Sequence, residues 1–305
     1  MSEKTVSEKK AKQDFRFTGL SFFLYAAALL YIPHLFLLYM RDGLPEIMEN
    51  RILYFGIYYI FLLVGNLLPI LLLKNRFSIK MKQFMGAIGD SLATIIGQTL
   101  VFFAIVTASM YISNTIGGYL NLEETLLSNI GTPLRAEYLD SPLFVFMFTA
   151  ACPLLEEVLY RGVLLSALRR YGSFFALFVT TLLFALAHSA FTDFLPAAVM
   201  GFLLGKIALR YRSIQPTIAI HILFNLFLYF LAVAPASVTK YMQYGLLVVY
   251  LGAIIFLLIN HGLTGYRVSR SANSMFALKL FFTRFSVILV IILLIGHSFL
   301  LLFLP

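Results

Sequence analysis

The stretch from Pro142 to Leu168, PLFVFMFTAACPLLEEVLYRGVLLSAL, decides how the chain is read. It is almost unbroken apolar sequence, interrupted by charge only at Glu156, Glu157 and Arg161. A helix needs about 20 such residues to cross a bilayer. The run has no polar face on which to rest in water, so it predicts a membrane span.

Outward from it, the same reading finds Phe17–Met40, Ile52–Leu73 and Ser91–Ser113 before it. After it come Ser173–Ala190, Phe194–Leu209, Gln215–Ala234, Gln243–Asn260 and Phe285–Leu304. Composition agrees. Hydrophobic residues make up 61% of the 305, charged residues only 12%, and phenylalanine occurs 31 times. Mean hydropathy is +0.91. A soluble domain carries about twice that charged fraction, so a soluble enzyme and a disordered chain are both excluded. The expected fold class is all-α, a polytopic membrane protein of about eight to nine transmembrane helices.

Basic residues divide unevenly between the two sets of loops. With the N-terminus inside, the tail holds Lys4, Lys9, Lys10, Lys12 and Arg16. Later inner loops hold Lys74, Arg76, Lys80, Lys82, Arg169, Arg170, Arg210, Arg212, Arg267, Arg270, Lys279 and Arg284. Outer loops hold only Arg41, Arg51, Arg135 and Lys240. That bias is a positive-inside signal, so the net charge of +9 reports membrane topology and no nucleic-acid partner. The expected plan is a cytoplasmic tail at 1–16, then N-terminal transmembrane helices and an acidic loop at 17–141. A core follows at 142–234, with C-terminal transmembrane helices at 235–305. The acidic loop, Asn114–Ser141, carries Glu123, Glu124, Glu137 and Asp140 and falls outside in this topology. The tail through Arg16 is hydrophilic, and the apolar run after it is too long for a signal peptide. The single Cys152 excludes an internal disulfide and reads as a packing thiol. Pro33 and Pro69 fall inside spans, where neighbouring helices can accommodate a kink.

Charge inside a span costs several kcal/mol on most scales, so each such residue is a functional candidate. Glu157 and Arg161 stand four apart on one helix face and predict an ion pair, whereas Glu156 points about 100° away. Glu156 therefore needs a partner from another helix and is the better candidate for chemistry. Two later spans offer partners: Phe184 and His188 in the fifth, His221 and Asn225 in the seventh. A carboxylate, two imidazoles and a carboxamide could activate water and stabilise an oxyanion. Glu156, His188 and His221 are also ligand types that suit a catalytic zinc. The same residues could equally line a proton or ion pathway in a transporter. His34 and His297 read as packing residues, His261 as interfacial, and Lys206 as a side chain that snorkels to an inner end.

Glu156-Glu157-x-x-x-Arg161, Phe184-x-x-x-His188 and His221-x-x-x-Asn225, in this order, resemble the CPBP family of intramembrane proteases, also called Abi or CAAX-protease-like proteins. The resemblance covers roughly Leu143–Ala234, which marks 142–234 as the catalytic core. It implies an all-helical, multi-pass enzyme, of the bacterial cell membrane, that hydrolyses a peptide bond of a membrane-associated peptide or protein. By that resemblance Glu156 and His188 activate water, His221 and Asn225 stabilise the oxyanion, and Glu157, Arg161 and Phe184 support the site. No cofactor is favoured, and zinc held by Glu156, His188 and His221 stays open. A non-catalytic membrane regulator or immunity protein is the alternative. The substrate's identity and the oligomeric state are not readable from the sequence.

One expectation conflicts with the others. At about 1.5 Å per residue, Glu156 lies roughly 20 Å from Arg169 and Asn225 roughly 20 Å from Arg212. His188 comes out near roughly 27 Å from Arg170, and His221 near roughly 14 Å from Arg212.

Overall fold

The computed structural model describes residues 7–43, 50–86, 89–120, 141–188, 191–260, 268 and 270–303. Most of the acidic loop (121–140) and His261 lie outside the described residues. The chain is an all-α polytopic membrane protein. Among the described residues the sole extended pairing is an isolated antiparallel bridge between Met85 and Ser213.

The first span is α1 (Glu8–Ala26), which runs through a π-helical turn (Ala27–Tyr31) into α2 (Ile32–Gly43). The next two are α3 (Arg51–Phe77) and α4 (Leu92–Tyr119). The fourth is assembled from α5 (Pro142–Phe146), a π turn (Met147–Ala151), α6 (Cys152–Glu157), a second π turn (Val158–Leu164) and α7 (Leu165–Leu168). Then follow α8 (Ser173–Ala187), α9 (Phe191–Tyr211), α10 (Gln215–Val233), α11 (Ala236–Asn260), α12 (Ala272–Phe282) and α13 (Phe285–Phe303).

Among the described residues, seven spans are long and apolar enough to cross a membrane, and α12 with α13, bent by 73°, would make an eighth. The fifth expected run differs. Its helix ends at Ala187 after 15 residues, a rise of about 22 Å against a hydrocarbon core of about 30 Å. His188 therefore sits past the helix end, in extended backbone, and not inside a full crossing. Helix α9 in turn begins at Phe191, three residues before the expected start.

Two of the π turns have a cause in the sequence. Each is followed, after one residue, by a proline: Ala27–Tyr31 by Pro33, and Met147–Ala151 by Pro153. Proline has no N–H to give the carbonyl four residues back. The ladder widens before it, so Ile32 donates to Ala27 and Cys152 to Met147. Pro33 is thus accommodated by a local change of helix type.

The fourth span occupies the centre, packed by α3, α8 and α10, while α1 packs along α3 and α13. Rings of Phe22 and Tyr25 on α1 meet Tyr160, and Tyr160 meets Phe184 edge-on at 5.1 Å. Gly172, at φ 120°, makes the tight turn from the fourth span into α8, a conformation open chiefly to glycine.

The basic helix ends gather at one face. Buried Asp14 on α1 accepts from Arg76 of α3 at 2.8 Å and from the Tyr171 hydroxyl at 2.6 Å. Asp90 accepts from Arg210 at 2.6 Å and Tyr211 at 2.7 Å. Between these ties, the segment after α3 folds inward. Ile214 N–H donates to the Phe84 carbonyl at 2.9 Å. The Phe84 ring covers Gly162, 3.2 Å from where a Cβ would stand. The start of α10 is thereby carried up to the level of Gly162. His221, two turns further along α10, reaches Glu157, which resolves the shallow depth expected for it.

Candidate active site

Glu156 and Glu157 close α6 at the point where the second π turn begins. Their environments differ sharply. Glu157 is 0% exposed and Arg161 3%, and Arg161 Nη1 donates to Glu157 Oε1 at 2.6 Å. The expected i,i+4 pair is present. The guanidinium also lies over the Phe184 ring at 4.3 Å, so a buried charge has both a counter-ion and an aromatic face. Glu156, one residue earlier, keeps 25% of its side chain exposed.

His221 of α10 stands between the two acids. Its Nδ1 donates to Glu157 Oε1 at 3.0 Å, and its Nε2 faces Glu156 Oε2 at 3.8 Å. A carboxylate can only accept, so the Glu157 contact places a proton on Nδ1 and aims Nε2 at Glu156. The sequence paired Glu157 with Arg161 alone. The bond from His221, across a separation of 64 residues, leaves no mark on local spacing.

One turn along α10, Asn225 Nδ2 donates to the Phe148 carbonyl at 2.9 Å. His188 Nδ1 donates to the carbonyl of Phe184 at 2.8 Å, which leaves its Nε2 as the free ring nitrogen. Phe184, fully buried, is the wall common to both histidines, with ring centres 4.6 Å from His188 and 6.3 Å from His221. No hydrogen bond joins His188 to Glu156 among the described residues; Glu156, Glu157, Arg161 and His221 group around one another, and His188 meets them through the Phe184 ring that it shares with His221 and Arg161.

The sequence reading missed Asp193. It lies in the first turn of α9 and interacts electrostatically with His188. An acid beside an apolar run was the available signal, hidden because the unbroken apolar run begins only after it, at Phe194. Tyr25 and Cys152 lie within electrostatic reach of Glu156, and Cys152 is a free thiol among packed apolar side chains, as expected. His34 and His297 pack ring to ring at 6.4 Å. Lys206 sits over the Phe202 ring at 5.8 Å.

Residues 138–227 match the family model described as Type II CAAX prenyl endopeptidase Rce1-like. That interval holds all three motifs, from Glu156 to Asn225. A protein of Bacillus subtilis (strain 168) named "Putative membrane peptidase YdiL" is 24% identical over 213 residues, which is 68% of this chain and 84% of that protein. No solved structure matches the chain significantly. The family match agrees with the resemblance carried by the motifs and supports a membrane peptidase at the level of the family.

Proposed function

We propose that the chain is an intramembrane endopeptidase that hydrolyses a peptide bond of a membrane-associated peptide or protein with water activated at Glu156. The observation that carries this is the division of labour between adjacent acids. Glu157 is sealed and neutralised by Arg161 and His221, whereas Glu156 is a quarter exposed and opposed by an imidazole nitrogen at 3.8 Å. Structural support requires only the first; the second suits proton transfer.

In the proposed step, Glu156 takes a proton from water as the oxygen attacks the carbonyl carbon, with the Nε2 of His188 as the second acceptor for that water. The carbonyl π electrons move to oxygen. An amide nitrogen carries two hydrogens, so Asn225 can hold Phe148 with one and offer the other to the oxyanion. His221 can join it from Nε2 only when its ring carries both protons. Collapse breaks the C–N bond, and Glu156 returns its proton to the departing amine. The new carboxyl group gives up its proton to the freed amine, so the products are a carboxylate and an ammonium group, with one water consumed.

Glu156, His188 and His221 are chemically suitable zinc ligands, and each histidine has Nδ1 engaged with Nε2 left over. Among the described residues, however, no three His, Cys, Asp or Glu side chains converge so that they could hold a metal ion; His221 gives Nδ1 to Glu157 and His188 gives Nδ1 to a carbonyl. The donor set does not fit a metal in this arrangement.

An apolar groove of about 720 Å³ runs beside α10 and α11, lined by Leu226, Phe227 and Phe230 among others. It would suit the apolar part of a membrane-associated substrate. The gathering of basic residues at one face supports a cytoplasmic N-terminus, and the Bacillus subtilis relative supports placing the chain in a bacterial cell membrane.

The test is turnover of membrane peptides by purified, reconstituted protein. Glu156→Gln and His188→Ala should fold normally and lose cleavage. Folded Glu156→Gln protein that cleaves at the normal rate overturns the assignment. Full rescue of a deletion phenotype by Glu156→Ala would favour a non-catalytic regulator instead.

A further inference from the structure

The basic face holds an open cleft of about 580 Å³ between the start of α1, the end of α3 and the turn after α7. Four cations line it: Lys9, Lys10, Arg76 and Arg170. The sole acid in its lining is Asp14, which is 2% exposed. Its carboxylate is already matched by two bonds from Arg76, at 3.1 and 2.8 Å, and one from Tyr171 at 2.6 Å. The cleft is therefore an excess of positive charge with its one acid occupied.

The two guanidiniums are held in place. Arg76 gives Nε and Nη2 to Asp14 and lies over the Phe17 ring at 5.7 Å. Arg170 gives Nη2 to the Phe77 carbonyl at 3.2 Å and lies over the Phe77 ring at 5.1 Å. In both, Nη1 has no protein acceptor among the described residues. Nor do the ammonium groups of Lys9 and Lys10, unlike Lys12, which pairs with Glu8 at 2.6 Å. Fixed guanidiniums suit the oxygens of a phosphate, and flexible lysines add point charge around it.

We propose that this cleft binds a phosphate group, supplied by the headgroup of an anionic phospholipid. The site stands where apolar helices give way to basic ends, which is the level of the headgroups. Below it, Leu20 and Leu24 of α1 remain 46% and 40% exposed. They continue the helix face of Gln13, which lines the cleft, so acyl chains have an apolar track leading from the phosphate. The proposal is independent of the peptidase assignment.

The experiment is native mass spectrometry of detergent-solubilised protein titrated with phosphatidylglycerol or phosphatidylcholine, with inorganic phosphate as competitor. Wild type should prefer phosphatidylglycerol, and Lys9→Gln/Lys10→Gln should weaken that binding by about tenfold or more at unchanged melting temperature. Arg170→Gln is a second variant from another element and should act in the same direction. Failure of inorganic phosphate to compete supports the lipid as source. Equal competition supports the phosphate site but overturns the lipid as its source. Equal binding of both lipids, or binding unchanged in both variants, overturns the proposal.

Discussion

The side-chain amide of Asn225 donates at 2.9 Å to the carbonyl of Phe148, an oxygen that its own helix leaves without a donor. The N–H of Cys152 is taken by Met147, and the next residue, Pro153, has none. Asn225 thus completes the backbone of the span that carries Glu156. Asn225→Ala should cost about 1–3 kcal/mol through the stranded carbonyl. Pro153→Ala restores a donor, so the Asn225→Ala penalty should shrink in that background. Equal penalties in both backgrounds, measured by unfolding in detergent, would show that the bond is not what Asn225 contributes to stability.

Glu157 carries a different expectation. It accepts from Arg161 and His221 with no exposure, and removing one member of such a pair leaves an uncompensated buried charge. Glu157→Gln should lose about 3–5 kcal/mol, seen as reduced folded yield and melting temperature. Glu156→Gln, at a quarter-exposed position, should change stability far less. Similar losses in the two variants would contradict the division drawn between them.

The parts legible in sequence are those that depend on local spacing. Apolar length gave most spans, and the i,i+4 rule gave the Glu157–Arg161 pair. Contacts that cross between helices were not legible, because nothing in the spacing of His221 or Asn225 names Glu157 or Phe148 as partner. The depth of His221 was hidden for a further reason. It depends on Phe84 folding under Gly162 and hydrogen bonding Ile214, a tertiary insertion absent from any count along one helix. Pro153 was a readable signal for the π turn and the orphaned carbonyl. Asp193 was readable too, as an acid in the first turn of a helix that begins at Phe191.

Acid should loosen the basic face. The Tyr211 hydroxyl, together with the Arg210 guanidinium, holds the Asp90 carboxyl below its ordinary value against an opposing push from burial. A carboxyl with a depressed folded pKa contributes stability that is present above its unfolded value, about 3.9. That contribution is lost as pH falls from there through the lower folded value. Melting temperature should therefore decline across that window, and Asp90→Asn should flatten this part of the profile. An unchanged acid limb in Asp90→Asn would remove the linkage.

Metal dependence follows from the donor set. Because no ligand cluster is gathered among the described residues, cleavage should persist after chelator dialysis, with elemental analysis finding no stoichiometric zinc. Stoichiometric zinc whose removal abolishes cleavage, and whose return restores it, would require Glu156, His188 and His221 to close on a metal.

The most direct measurement is quantitative mass spectrometry of membrane peptides from cells carrying wild-type chain or Glu156→Gln at equal folded abundance. Water activated at Glu156 predicts an intact peptide that accumulates in the variant, matched in wild type by two fragments whose masses sum to that peptide plus one water. Identical peptide profiles in the two membranes would contradict the central claim.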